Sequence, residues 1–234
     1  MRKGTVCIVE GLIGAGKSSF SEELKNEIEG SIALMEPDEQ NGANPYLANF
    51  YGDMERWAFT MQIHLLQARF RMHQHAQWMA MSGNGHVILD RSYFGDTAFA
   101  RLQLFNGTMT SEEYETYRGI YSAMTASVLL PNVCVHLKVS PEVAAERIDK
   151  RASERSGRLC EKVIDLGYLE RLDAEINQVV EVLGSQGVKV VEVPYDLDRP
   201  DKSSRASIIK KVASEIRNIS TPDLFESHRR SIAP

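Results

Sequence analysis

Apolar positions along this chain follow two alternating patterns. Five short runs, at 5–10, 32–36, 86–90, 133–139 and 188–193, are nearly continuous and mostly β-branched. Such runs read as buried parallel strands rather than half-exposed ones. Between them, apolar residues recur at helical spacing. Residues 17–29 form one such stretch; 53–81 form another, with Met54, Trp57, Ala58, Met61, Leu65 and Ala68 on its period. Ser111-Glu112-Glu113 reads as a cap followed by an acidic first turn. Pro141 starts a further helix, since proline is welcome in a first turn, and 165–183 and 201–217 complete the set. This alternation predicts an α/β fold, a doubly wound sheet of five parallel strands flanked by helices.

In such folds ligands gather at the carboxyl ends of the strands. Three runs end there in pointed chemistry: Glu10-Gly11, Glu36-Pro37 and Asp90-Arg91. The first opens Gly11-Leu12-Ile13-Gly14-Ala15-Gly16-Lys17-Ser18-Ser19, a full G-x-x-x-x-G-K-[ST] motif. Its glycines let backbone N–H groups face phosphate oxygens, and the helix that follows adds its positive end. Lys17 then bridges the β- and γ-phosphates and Ser18 holds Mg²⁺, so a P-loop NTPase-type fold with ATP and Mg²⁺ is expected.

The motif alone covers switches, motors and kinases. A motor or switch should add an apolar strand ending in Asp, then a water-positioning Gln or a mobile recognition loop. This chain shows a late cationic segment instead, from Arg147 through Arg151 and Arg155 to Arg158. Arg147 and Arg151 are four apart and reach one side of a helix. A lid over about 147–162 that closes on ATP and neutralises transferring charge fits this segment; a solvated helix end is the alternative.

Composition narrows the setting. With 43% hydrophobic and 25% charged residues the chain has a globular balance, and its net charge of −5 gives no footprint for nucleic acid. No apolar run is long enough for a membrane span. Length fits one domain, 1–220, followed by an aperiodic tail, 221–234. The opening MRKGTVCIVEG enters a strand with no apolar leader. Three cysteines, Cys7, Cys134 and Cys160, lack metal spacing, and the first two lie inside strands as free thiols. A cytoplasmic location is expected.

Taken in order, GLIGAGKSS, Glu36-Pro37 and Asp90-Arg91-Ser92 resemble the deoxyribonucleoside kinase family, and the likeness runs from about Val6 to about Leu172. Helix residues Trp57–Gln62, the stretch from Ser140 to Ile148, and Tyr168-Leu169-Glu170-Arg171-Leu172 are similar to family segments as well. The resemblance implies ATP-dependent phosphorylation of a deoxynucleoside 5′-hydroxyl in nucleotide salvage. It assigns Glu36 as the base, Asp90 to Mg²⁺, and Arg91 to the 5′-oxygen and the incoming phosphoryl group. Gln62 matches the base-binding glutamine, and Arg69 with Asp96 matches the pair of the branch acting on deoxycytidine and purine deoxynucleosides. Tyr51 matches a 3′-hydroxyl ligand, and Glu161 is the lid acid chosen for the same group, with Glu154 and Arg155 the neighbouring options. A homodimer is implied too.

Substrate preference follows from Arg69 and Asp96. An Asp held by Arg accepts from an exocyclic amine, and the pair disfavours thymidine because an unpaired buried charge is costly. Residues 44–51 are similar to bacterial-type purine deoxynucleoside kinases, so deoxyadenosine or deoxyguanosine leads, with deoxycytidine next. Asn41 stands where several relatives have a tryptophan. Phe94, Phe99, Phe105 and Trp57 are stacking candidates or core. His64, His73 and His75 lack metal spacing and read as surface or packing residues. Two alternatives remain: a thymidylate-type nucleotide kinase, against which Asp38 and Ser92 speak, and a non-catalytic P-loop module.

Overall fold

Hydrogen bonding orders the five parallel strands β2-β3-β1-β4-β5. In the computed structural model, which describes residues 4–36, 44–83, 85–154, 164–196 and 201–219, they are β1 (Val6–Gly11), β2 (Ile32–Leu34), β3 (Val87–Asp90), β4 (Val133–Lys138) and β5 (Lys189–Pro194). The helices are α1 (Lys17–Glu27), α2 (Leu47–Gly52), α3 (Met54–Met81), α4 (Tyr93–Phe105), α5 (Ser111–Thr125), α6 (Pro141–Glu154), α7 (Leu166–Ser185) and α8 (Lys202–Arg217). The expected α/β architecture is therefore present, a P-loop NTPase-type sheet with helices packed around it.

Position in the sheet corrects one expectation. Only β1, β3 and β4 are buried almost throughout; β2 is half-exposed and β5 shows Lys189, Glu192 and Pro194 to solvent. Those two are the outermost strands, so one flank of each has no neighbour to cover it. Strand β2 also ends at Leu34, which leaves Glu36 two residues beyond it rather than in it.

Two helices were not foreseen. In α4, Ser92 is the N-cap and accepts from the N–H groups of Phe94 and Gly95, and Tyr93, Phe94, Ala98, Ala100 and Leu102 turn inward. Leu47 and Phe50 of α2 pack with Ala58, Met61 and Leu65 of α3 into a small second core. The cap of α5 is Thr110 rather than Ser111: its hydroxyl accepts from Glu113 N–H while the Glu113 side chain accepts from Thr110 N–H.

Helices fix the ends of the sheet where the chemistry lies. Helix α8 lies on α1, with Arg205 paired to Glu23 and Arg217 donating to the Glu27 carbonyl at 3.2 Å. Helix α6 meets the glycine turn so closely that a Cβ on Gly14, at φ +82°, would stand 2.6 Å from the Ala144 carbonyl. Cys7 and Cys134 are buried free thiols, as expected. Among the described residues no helix is long and apolar enough to cross a membrane.

Candidate active site

The glycine turn between β1 and α1 presents an unclaimed helix start. Gly16 caps α1 at φ 88° with no side-chain hydrogen bond, and the first turn carries no acidic residue. Its N–H groups thus face outward for an anion. Lys17 is buried and folds back, with Nζ donating to the carbonyls of Gly11 at 3.1 Å and Leu12 at 2.5 Å. Burial, helped by Arg91, lowers its ammonium to about 7, against the pull of Asp90, Glu36 and Glu10. Ser18 Oγ donates to Asp90 Oδ2 at 2.5 Å, tying α1 to the end of β3.

From Asp90 a chain of charge runs across the sheet ends. Arg91 Nε donates to Glu36 Oε2 at 3.2 Å, and Arg69 Nη2 donates to Glu36 Oε1. Arg69 Nη1 then donates to Asp96 Oδ1. One carboxylate, Glu36, joins two guanidiniums. Burial alone would raise its pKa, but Arg69, Arg91 and Lys17 hold it at about 2. The ring of Phe99 lies beneath both guanidiniums, 5.0 Å from Arg91 and 5.9 Å from Arg69.

Asp96 is wholly buried, and both its oxygens are engaged. Gln62 Nε2 donates to Oδ2 at 2.7 Å and to the Asp96 backbone carbonyl at 2.9 Å. The Tyr117 hydroxyl donates to Oδ2 at 3.1 Å. Burial pushes the Asp96 carboxyl upward, and Arg69, Gln62 and Tyr117 oppose that shift. Gln62 and Arg69 do share a face of α3, as their spacing of two turns predicts, and the Arg69–Asp96 pair is a buried contact, not a surface one. The sequence reading missed Tyr117, because nothing local in α5 announces a partner 21 residues upstream.

Several buried polar atoms here lack partners: Asp90 Oδ1, Arg91 Nη1, Arg69 Nε and Glu10 Oε2. Orphans of this kind are costly unless something else satisfies them. Asp90 is pushed upward by burial and by Glu36, against Lys17, Ser18 and Arg91. Its free oxygen beside the Ser18 hydroxyl is a donor set suited to a hard divalent cation.

The other expected site residues stand on α2 and α6. Tyr51 is half-buried on α2 with its ring 5.0 Å from Phe50. On α6, Arg147 Nη2 donates to the Tyr195 carbonyl at 2.9 Å, and the Tyr195 ring stands 3.4 Å from where a Gly16 Cβ would be. Arg147 is thereby set beside the glycine turn, with Arg151 one turn on. Phe105 is largely exposed, and Phe94 is a core residue stacked with Tyr93 and His73. His73 is buried and His75 exposed, and no metal cluster forms among the described residues. Pro37, Asp38, Asn41, Arg155, Arg158, Cys160, Glu161 and the tail lie outside the described residues.

Comparison with known proteins gives consistent matches. A model of the family "Deoxynucleoside kinase" fits residues 7–217. The chain is 30% identical to a deoxyadenosine kinase of Dictyostelium discoideum over 92% of its own length and 82% of that protein's. It is 30% identical to a deoxyadenosine/deoxycytidine kinase of Bacillus subtilis, covering 92% of this chain and 95% of the other. In structure it resembles a deoxyadenosine kinase from M. mycoides solved with the products dCMP and a flexible dCDP. That likeness has a TM-score of 0.74 at 26% identity and covers 92% of this chain and all of the other.

Proposed function

The chain belongs to the deoxynucleoside kinase family, and from that premise we propose that it transfers the γ-phosphoryl group of ATP to the 5′-hydroxyl of a purine deoxynucleoside. Deoxyadenosine or deoxyguanosine is favoured, with deoxycytidine possible. The observation that carries this reading is the buried Asp96 carboxylate, held by Arg69, Gln62 and Tyr117 and linked through Glu36 to Arg91. Both oxygens of this fixed acceptor already have partners in the protein; an exocyclic amine would add one further donor to it that thymine cannot supply, which favours an amine-bearing base. The names of the similar Dictyostelium, Bacillus and M. mycoides enzymes support the same class.

Phosphates would lie in residues 11–19, with Lys17 rising off its two carbonyls toward them. Arg147 and Arg151 would flank the donor from α6. Mg²⁺ would be held by Ser18 and Asp90, whose free Oδ1 fits it, and when bound it would offset charge on the β- and γ-phosphates. Glu36 would take the 5′-hydroxyl proton. With two guanidiniums on it the carboxylate is a weak base, so it must leave at least one of them as the nucleoside enters. The freed Arg91 then turns to the phosphoryl group; the O5′–P bond forms, the P–O bond to ADP breaks, and its electrons leave with ADP.

Tyr51 and Glu161 are proposed as 3′-hydroxyl ligands, Gln62 as the base-edge reader. Residues 1–220 would act as one catalytic unit. A cytoplasmic homodimer is proposed as well: Phe105, Leu166 and Val182 expose apolar area on α4 and α7, and light scattering of the purified protein tests it.

The deciding experiment measures initial rates with Mg-ATP for deoxyadenosine, deoxyguanosine, deoxycytidine, thymidine and thymidine monophosphate. Fastest turnover of a purine deoxynucleoside with little of thymidine is expected. Preferred turnover of thymidine or its monophosphate overturns the reading.

A further inference from the structure

Glu10, the penultimate residue of β1, is a carboxylate 1% exposed in an otherwise apolar strand, and the proposed reaction gives it no part. Its Oε1 accepts from Ser92 N–H at 2.9 Å and from Ser92 Oγ at 2.6 Å. One residue earlier, Arg91 N–H donates to the Val9 carbonyl at 3.1 Å. The turn leaving β3 is thus fastened to β1 by one backbone bond and by both Ser92 donors on a single carboxylate oxygen.

What that fastening restrains is unusual. Arg91, at φ 67°, is the one non-glycine residue with positive φ among those described. A long side chain in that region carries backbone strain and stays there only when its surroundings impose it. The Glu10 carboxylate also lies against the first turn of α4. A Cβ on Gly95 would stand 2.5 Å from Oε2 and 2.8 Å from Oε1, so the space is open only because residue 95 is glycine. Burial pushes the Glu10 carboxyl up, and Arg91 is the largest influence in the other direction.

We propose that Glu10 is a positioning residue that acts through Ser92 to hold Arg91 in its left-handed conformation, aimed across the sheet ends at Glu36 and the transferring phosphoryl group. The inference rests on the role proposed above for Arg91. A glutamine at position 10 keeps an oxygen for Ser92 but places an amide N–H₂ where Oε2 now lies against α4 and removes the charge facing Arg91. Orientation is lost while nucleoside and ATP contacts remain, so the effect falls on kcat rather than on KM.

The test is a double-mutant cycle of Glu10→Gln and Arg91→Ala, read in kcat and in nucleoside KM. Glu10→Gln alone should lower kcat roughly 10- to 100-fold with KM changed less than about 3-fold, while in the Arg91→Ala background it should cost less than about 3-fold. Equal losses in both backgrounds, or a loss confined to KM, overturn the positioning role. If Arg91→Ala alone leaves kcat intact, it is the proposed part of Arg91 that fails, and Glu10 has nothing to position. Should Glu10→Gln not fold, Gly95→Ala, which displaces the same carboxylate from the α4 side, takes its place in the cycle with the same expectations.

Discussion

The two ends of the charge chain are finished to different degrees. Around Asp96 the polar atoms are nearly all satisfied: both carboxylate oxygens, the Gln62 amide and the Tyr117 hydroxyl have partners within the protein. Around Asp90 they are not, since Asp90 Oδ1 and Arg91 Nη1 are buried with no partner and Lys17 is folded onto carbonyls. A fully satisfied network is rigid and selects by shape and hydrogen-bond pattern. An unsatisfied one is completed by what binds. Under the proposed function the first end would discriminate between bases, and the second would receive charge and let it move.

The largest blow to that contrast is expected at its hinge. Glu36→Gln keeps the size of the side chain but removes the proposed base and weakens both guanidinium contacts. Its kcat should fall by roughly 10²–10⁴, with nucleoside binding by calorimetry retained; near-normal turnover would show that Glu36 only joins the two ends. Next comes the discriminating end. Replacing Arg69 and Asp96 together with alanine should raise the thymidine-to-deoxyadenosine ratio of kcat/KM by about 10-fold or more. An unchanged ratio would make the pair structural. Smallest is a proton. At pH 8 an ammonium lowered to about 7 is mostly neutral, and bound polyphosphate favours its charged form. ATP binding at pH 8 should therefore take up a fraction of a proton, measured by calorimetry in buffers of different ionisation enthalpy. The uptake by Lys17 should shrink about tenfold by pH 6, where the ammonium is already mostly charged. Zero uptake at pH 8 would mean that the receiving end carries its full charge before ligand arrives.

Much of this was legible in the residues. Strand runs, the glycine motif and the helical period of 53–81 depend on local chemistry, so the sheet, α1, α3 and the facing of Gln62 and Arg69 followed directly. Position in the sheet is not a local property, which is why β2 and β5 read as buried when they are edges. Helix α4 was not legible for another reason: Ser92 reads as part of the Asp90-Arg91-Ser92 motif and Asp96 as a partner of Arg69 at the base, and both readings mask their service as cap and first-turn acid. Glu10 stood out as a charge in an apolar run, yet its link to Ser92 crosses 82 residues. Tyr117 gave no signal at all. Side chains that act directly on a ligand carry motifs; those that hold them in place are known only once the chain has folded.

The pairing of α1 with α8 has a consequence for the order in which the protein is made. The glycine turn and α1 leave the ribosome well before the arginines that brace α1 through Glu23 and Glu27, which follow 182 and 190 residues later. β1 likewise waits for β3 and β4 on its two sides. Contacts so distant in sequence form late, since the intervening chain must be ordered before they close. The segment that most clearly advertises nucleotide binding is therefore made early and gains its last bracing contacts only once α8 has been made.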